Sequence, residues 1–145
     1  MSNIQGSVFY KIINGELECF KIYEDADFLV ILDRFPAQSE AFGGHCLILP
    51  KIPAKDIFDL SDASAKGLYP LAKKIATAIK KATKCEGVNI IQNNGAAAGQ
   101  VVFYFHLHIV PRFKNDDFEV KSNQHDVSVE YLEGLSTKIR GHLDE

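Results

Sequence analysis

The sequence predicts a single α+β domain built around an antiparallel sheet, and three observations lead to that class. The 145 residues, of which 46% are hydrophobic and 24% charged, are enough to enclose one hydrophobic core. About five short apolar runs have the composition of strands, and neighbouring runs are joined too closely for parallel crossover connections. Two longer segments carry apolar residues at helical spacing. We expect residues 1–145 to form one domain, with residues 1–6 flexible.

The first half of the chain predicts three strands. Residues 20–23 and 28–32 are rich in strand-forming residues and flank an acidic turn, which indicates a hairpin. Residues 33–44 are typical of a loop. Residues 45–49 form the next predicted strand, which Pro50 ends.

The second half predicts two helices and two further strands. Ser61 and Asp62 are candidate N-caps for a helix that runs towards Lys84, in which Pro70 is expected to kink or divide the helix and after which Gly87 is expected to end it. Residues 88–92 predict a strand, and residues 93–99 a turn into the last strand. A final amphipathic helix is expected over residues 126–143. Its apolar face holds Val129, Leu132, Leu135, Ile139 and Leu143.

Residues 99–112 are the most informative stretch, because two histidines interrupt an otherwise apolar run. Side chains alternate between the faces of a strand, so Tyr104, His106 and His108 are expected to share one face. The residues between and around them are apolar and share the other face. A polar stripe backed by an apolar one indicates a functional site held on a rigid sheet.

The two histidines have three interpretations at this stage. They are ordinary strand residues with satisfied nitrogens, or zinc ligands completed by His45, Tyr104 or a remote carboxylate. Alternatively, they act as nucleophile and partner at phosphorus, since imidazole, with a pKa of ~6.5, is largely neutral near pH 7. The glycine-rich residues 93–99 supply the close backbone approach that a phosphate needs.

Composition narrows the class of protein. A net charge of −3 argues against general nucleic-acid binding, which depends on many cations. Cys19, Cys46 and Cys85 are scattered without a Cys-x-x-Cys pair, which favours a reducing compartment. The chain shows neither a long apolar run nor a secretion signal at its polar start. We therefore expect a cytoplasmic protein with no nucleic-acid or membrane partner.

The histidine run resembles the signature of the histidine-triad (HIT) family. Gln100, His106 and His108 lie in a stretch that ends with Pro111 and Arg112. It is similar to the family pattern Gly-Gln followed by His-φ-His-φ-His-φ-φ, in which φ is apolar. Residues 9–17 with 23–25 resemble the family's first hairpin, and residues 32–33 with 44–51 resemble its Asp-loop-Gly-His-strand-Pro-Lys block. The resemblance covers residues 7–113 and implies a HIT-like domain with a five-stranded antiparallel sheet and two main helices.

The resemblance also implies roles for individual residues. His106 matches the nucleophile that attacks an α-phosphate and forms a nucleotidyl-histidine, and His108 matches the histidine that contacts the phosphate and helps protonate the leaving group. His45 matches a position behind these histidines, with a satisfied core histidine as the alternative. Phosphate contacts are expected from Asn93, Gln100, Val101, Val102 and Tyr104. Ribose or base contacts are expected from Asp33, Phe9, Ile12, Leu32 and Arg34, with plain core packing as the alternative for the three apolar residues.

The chain departs from the family pattern at the first triad position, where Tyr104 stands in place of histidine. Many family members hold a structural zinc through this histidine, a Cys-x-x-Cys pair and a further histidine. The corresponding residues here are Ser7, Tyr10, Pro53 and Tyr104, so the resemblance implies a variant without that zinc and without a cofactor.

The function that follows from the resemblance is metal-independent hydrolysis of a nucleotide at its α-phosphate by a homodimer. The reaction releases a purine nucleoside monophosphate from a phosphoramidate or a dinucleoside polyphosphate, and the Pro111-Arg112 end is compatible with the second class without excluding the first. The alternatives are a nucleotide-binding sensor or adaptor with little catalysis, and a zinc-dependent hydrolase that uses His45, His106 and His108.

Overall fold

A five-stranded antiparallel sheet forms the centre of the computed structural model, which describes residues 3–143. The strands follow one another across the sheet in the order β1-β2-β3-β5-β4. This arrangement confirms the predicted fold class. The strand bounds are β1 (Lys21–Glu24), β2 (Phe28–Leu32), β3 (Cys46–Pro50), β4 (Gly87–Ile91) and β5 (Leu107–Arg112).

The long helix α2 (Asp62–Thr83) covers one face of the sheet. It begins as predicted, because the Ser61 hydroxyl accepts a hydrogen bond from the Ser64 N–H. Its buried apolar residues pack against alternate residues of the central strands in one cluster. Pro70 lies within α2 and does not divide it. Both Pro70 and Lys66, whose carbonyl loses its helical donor, are exposed, so water can satisfy that carbonyl.

The end of α2 differs from the prediction. Lys84 adopts a left-handed conformation with φ of 59° and closes the helix, while its N–H donates to the Lys80 carbonyl. Gly87 is not the stop signal. It opens β4, where it pairs with Arg112 of β5.

The other face of the sheet is covered by α1 (Val8–Ile13), a helix that the sequence did not predict. The Ser7 hydroxyl caps it by accepting a hydrogen bond from the Tyr10 N–H, and Gly15 follows its end with φ of 75°. The interpretation of residues 9–17 as part of a hairpin is therefore wrong. Residues 1 and 2 of the predicted flexible segment lie outside the described range, and Ile4–Gly6 forms a 3-10 turn before α1.

The histidine-bearing strand is shorter than predicted, because β5 begins only at Leu107. Just before β5, the Phe105 N–H donates to the Ala54 carbonyl at 2.7 Å, and Ala54 lies outside the strands of the sheet. The alternation of faces nevertheless extends through this segment. Tyr104 packs on the α1 side, while Phe105 and Leu107 pack on the α2 side.

The last helix, α3 (Val129–Arg140), lies within the predicted range 126–143 and is capped by Ser128. None of its residues is buried. The exposed fractions of its apolar side chains range from 40% at Leu135 to 71% at Val129. The amphipathic pattern therefore identifies a helix whose apolar face has no cover within residues 3–143. In the same range, no helix combines the length and apolar character that a membrane span requires.

Candidate active site

One cavity of about 840 Å³ contains both histidines of the predicted site. It lies on the α1 side of the sheet, between α1, the end of β2 and the loop that precedes β5. The predicted site residues that line it are Phe9, Ile12, Leu32, Asp33, Arg34, Asn93, Val101, Val102, His106 and His108. Three predicted residues do not line it: His45, Gln100 and Tyr104.

His106 presents one defined nitrogen to this cavity. Its Nδ1 lies 2.6 Å from the carbonyl oxygen of Tyr104. A carbonyl can only accept, so Nδ1 carries the hydrogen and Nε2 carries the lone pair. The ring packs against Phe9, with centroids 4.9 Å apart, which limits its rotation. The local backbone thus holds His106 in the tautomer that a nucleophile requires.

A hydrogen-bonded chain sets the tautomer of His108 in the same way. The Ala37 N–H donates to His45 Nδ1 at 3.0 Å, so the hydrogen of His45 resides on Nε2. That Nε2 lies 2.9 Å from His108 Nδ1 and donates to it. His108 consequently carries its own hydrogen on Nε2, where it can be donated to a ligand.

The sheet register brings His45 and His108 together. Leu47 of β3 is paired with His108 of β5, and His45 lies two residues before Leu47 on the same face. His45 does not touch the cavity, yet it is buried and bonded to a residue that does. The structure therefore supports its predicted place behind the two cavity histidines, as a residue that orients His108.

All three histidines are neutral near pH 7. Burial is the main cause that lowers the pKa of His45 and of His106 below the ordinary value of 6.5. Burial, with the neighbouring His106 and His45 next, lowers the pKa of His108 to about 4. The lone pair of His106 is therefore available without help from a general base.

Asp33 places a carboxylate in the cavity wall at the end of β2. Its N–H donates to the His45 carbonyl at 2.9 Å, which ties the end of β2 to the start of β3. Its Oδ1 accepts from the Phe35 N–H, and its Oδ2 lies 3.7 Å from His45 Nδ1. The remaining lone pairs of this carboxylate can accept hydrogen bonds from ligand hydroxyls.

Two amide side chains of the loop before β5 differ in their hydrogen bonding. The Gln100 Oε1 accepts from the Gly95 N–H, and its Nε2 donates to the carbonyls of Lys55 and Val102. Gln100 is buried, and both its side-chain oxygen and its side-chain nitrogen bond to the backbone. The prediction that it binds phosphate is therefore corrected, because its side chain holds the loop in shape. The Asn93 side chain lines the cavity and has no hydrogen-bond partner within the described range.

The loop also directs backbone donors at the cavity. Gly95 and Gly99 both have positive φ, at 87° and 86°, and they turn the chain sharply before the cavity-lining residues Val101 and Val102. The N–H groups of these two valines meet no acceptor elsewhere in residues 3–143. They remain available for an anionic ligand.

Tyr104 differs from its predicted role. The side chain is completely buried, and its hydroxyl donates to the Pro50 carbonyl of β3. Burial raises the pKa of this phenol far above its ordinary value. The hydroxyl is therefore unavailable to a phosphate, and Tyr104 is a packing residue beneath the cavity.

Local sequence patterns do not identify several further cavity residues. Most of them belong to α1 and the loop after it, where residues 9–17 resemble part of a hairpin. They include Val8, Leu17, Glu18, Cys19, Phe20 and Phe35. The cap residue Ser7 and the helix-ending Gly15 are the signals that would have located them. These residues extend the apolar wall and add a charged rim beside Arg34.

Three potential metal ligands lie close together beside the cavity. Asp33, His45 and His108 offer donor atoms that lie within 4.8 Å of one another, and His106 is not part of that group. A metal there would replace the His45–His108 hydrogen bond. The residues at the family's structural zinc positions do not fit zinc, because Ser7, Tyr10, Pro53 and Tyr104 provide neither a thiolate nor an imidazole.

Comparison with known proteins shows the family. A family model described as the HIT domain matches residues 14–115. The chain belongs to the HIT family. Among relatives of this HIT domain, the adenylylsulfatase HINT3 of Arabidopsis thaliana is 42% identical over 109 residues, which are 75% of this chain and 53% of that protein. The adenosine 5'-monophosphoramidase hnt1 of Schizosaccharomyces pombe is 34% identical over 138 residues, 94% of this chain and 97% of that protein. A crystal structure from Streptococcus mutans superposes with a TM-score of 0.88 at 36% identity, covering 97% of this chain and 87% of that one.

Proposed function

We propose that this HIT domain hydrolyses a purine nucleotide at its α-phosphate through a covalent nucleotidyl-His106 intermediate, without a metal. The observation that carries the proposal is the His106 Nδ1–Tyr104 carbonyl bond, which leaves the Nε2 lone pair free in the cavity. The names of two relatives, a phosphoramidase and an adenylylsulfatase, support hydrolysis of a nucleotidyl compound as the reaction class.

The first step is an attack of His106 Nε2 on phosphorus. The bond from phosphorus to the leaving group breaks, while the His108 Nε2–H donates a hydrogen bond to the departing atom and the leaving group takes a proton from solvent. The imidazolium that forms at His106 retains its Nδ1 hydrogen bond to the Tyr104 carbonyl. In the second step water attacks phosphorus, loses a proton to solvent and releases His106 with the nucleoside monophosphate, while His108 keeps its Nε2–H.

The cavity provides contacts for each part of the nucleotide. The unpaired N–H groups of Val101 and Val102 and the amide of Asn93 face the phosphate oxygens, where negative charge increases in the transition state. The Asp33 carboxylate accepts from the ribose hydroxyls. The apolar wall next to α1, which includes Phe9, receives the base.

Tyr104 is compatible with catalysis although it replaces the first histidine of the family pattern. Its hydroxyl is bonded to the Pro50 carbonyl, and neither residue lines the cavity, whereas its own carbonyl holds His106. We propose that this position contributes through its backbone, so the change of side chain does not reach the reacting atoms.

We also propose that the protein is a homodimer in the cytoplasm. The apolar face of α3 is uncovered, β4 is an edge strand of the sheet, and Tyr69 on α2 is 66% exposed. A second copy would cover such surfaces. The cysteines at positions 19, 46 and 85 are free, which supports a reducing compartment.

The test is release of nucleoside monophosphate from a nucleoside phosphoramidate and from dinucleoside polyphosphates, with a chelator present. Wild type is compared with His106→Ala and with His125→Ala, a control that removes an exposed histidine outside the cavity. We expect turnover by wild type and by the control, and none by His106→Ala.

Two other results would each indicate a different function. Turnover that the chelator abolishes would indicate a zinc-dependent hydrolase. Nucleotide binding without any turnover would indicate a sensor or adaptor.

A further inference from the structure

A second cavity of about 320 Å³ adjoins the main one. Its lining consists of Glu18, Cys19, Phe20 and Arg34, and all four residues also line the main cavity. Neither His106 nor any of the phosphate-facing residues lines it. The main cavity therefore continues beyond the site of chemistry, past a carboxylate and a guanidinium.

Both charged groups are available to a ligand. Glu18 and Arg34 form no ion pair and no side-chain hydrogen bond with any other part of the described chain, including each other. The surrounding wall is apolar and includes Leu17 and Phe35. A planar apolar ligand that enters this wall would bring its polar edge to two unpaired charges of opposite sign.

Backbone bonds fix the main chain next to both charged residues. The Glu16 N–H donates to the Lys11 carbonyl of α1 at 2.8 Å, which anchors the loop before Glu18. The Leu32 N–H donates to the Phe20 carbonyl at 2.9 Å, which ties the chain after Glu18 to the end of β2. Arg34 follows that end by two residues.

We propose that Glu18 and Arg34 select guanine over adenine as the base of the substrate, an inference that rests on the proposed nucleotide hydrolysis. Guanine presents two adjacent donors, N1–H and the N2 amino group, which match the two oxygens of a carboxylate. It also presents the acceptors O6 and N7, which match the fork of an arginine. Adenine offers a carboxylate one amino group, and its N1 lone pair repels the second oxygen.

Glu18→Gln provides the sharpest variant. A glutamine amide has one donor and one acceptor side by side, which complements the N1 acceptor and N6 donor of adenine. Glu16→Gln is the matched control, because Glu16 is exposed, carries the same charge and lines the main cavity but not the second one. Arg34→Met removes the second recognition group and retains an apolar stem.

The experiment measures kcat/KM for guanosine and adenosine 5'-phosphoramidates with the same leaving group, and Kd for the two monophosphates by calorimetry. We expect wild type to prefer guanine by about tenfold, the lower part of the discrimination of a bidentate base contact. Glu18→Gln should abolish or reverse the preference, Arg34→Met should weaken it, and Glu16→Gln should retain it.

Each outcome separates this inference from the function on which it rests. Turnover with equal efficiency on both bases, or a guanine preference that survives Glu18→Gln, would overturn the inference and leave the hydrolase proposal standing. A guanine preference in Kd that Glu18→Gln removes, without turnover of either substrate, would support the inference and contradict the hydrolase.

Discussion

Replacing His45 tests how the hydrogen-bonded chain contributes to catalysis. His45→Phe retains a ring in a buried position but removes the donor to His108 Nδ1, at 2.9 Å, and the acceptor for the Ala37 N–H. A buried hydrogen bond of this kind contributes about 1 kcal/mol, and about 1.4 kcal/mol corresponds to a factor of ten. Loss of the preferred His108 tautomer should therefore lower kcat by about 5- to 10-fold. The unpaired Ala37 N–H should lower the free energy of unfolding by about 1–3 kcal/mol.

The assay compares kcat on two substrates that share a nucleotide and differ in the leaving group. A departing amine needs the hydrogen bond from the His108 Nε2–H, whereas a nitrophenolate leaves without such help, so the loss should be confined to the amine. Cys46→Ala is the control, because Cys46 is the next residue and packs on the α2 side of the sheet. A folded His45→Phe protein with the kcat of wild type on the amine, or with equal losses on both substrates, would refute the reasoning.

Three further predictions concern pH, Tyr104 and α3. Because the pKa of His108 is lowered to about 4 and that of His106 is also lowered, the half-loss of kcat/KM on acidification should occur below pH 6.5, and a half-loss at or above pH 6.5 would contradict the assignment. Between about pH 4 and 6.5 the unfolded chain binds more protons at these histidines than the folded one, so urea titrations should show stability rising with pH in that window. Tyr104→Phe loses the bond to the Pro50 carbonyl and should cost about 1 kcal/mol in thermal unfolding while kcat stays within about twofold. Leu135→Asp on α3 should shift the proposed dimer to monomer in light scattering, whereas Thr137→Asp, on the opposite side of the helix, should not.

The sheet and α2 follow from local patterns in the sequence. Strand alternation placed His106 and His108 on one face, and it did so correctly even though β5 begins only at Leu107. Residue spacing identified α2 because 22 residues repeat the apolar pattern several times. The six residues of α1 are too few to show such a period, so the Ser7 cap and the Gly15 that follows the helix are its local signals.

The details of the site depend on contacts that no local pattern encodes. The pairing of Leu47 with His108 brings His45 to its partner, and that register joins strands far apart in sequence. Asn93 and Gln100 carry the same side-chain amide. The loop binds the amide of Gln100 by internal hydrogen bonds and leaves the amide of Asn93 in the cavity wall. Tyr104 was expected at the phosphate because its side chain shares a face with the histidines. Its hydroxyl instead meets Pro50, which only the packed structure reveals.

The central claim is that His106 Nε2 becomes covalently attached to the nucleotide. The most direct measurement is intact-mass spectrometry of the protein after rapid alkaline quenching of its reaction with a nucleoside phosphoramidate, because the P–N bond to imidazole is labile in acid, followed by peptide mapping at neutral to alkaline pH. We expect wild type to gain the mass of a nucleoside monophosphate less one water, with the adduct at His106, and His106→Ala to gain nothing. Steady-state turnover by wild type with no adduct at any quench time, or an adduct at His108, would contradict the account.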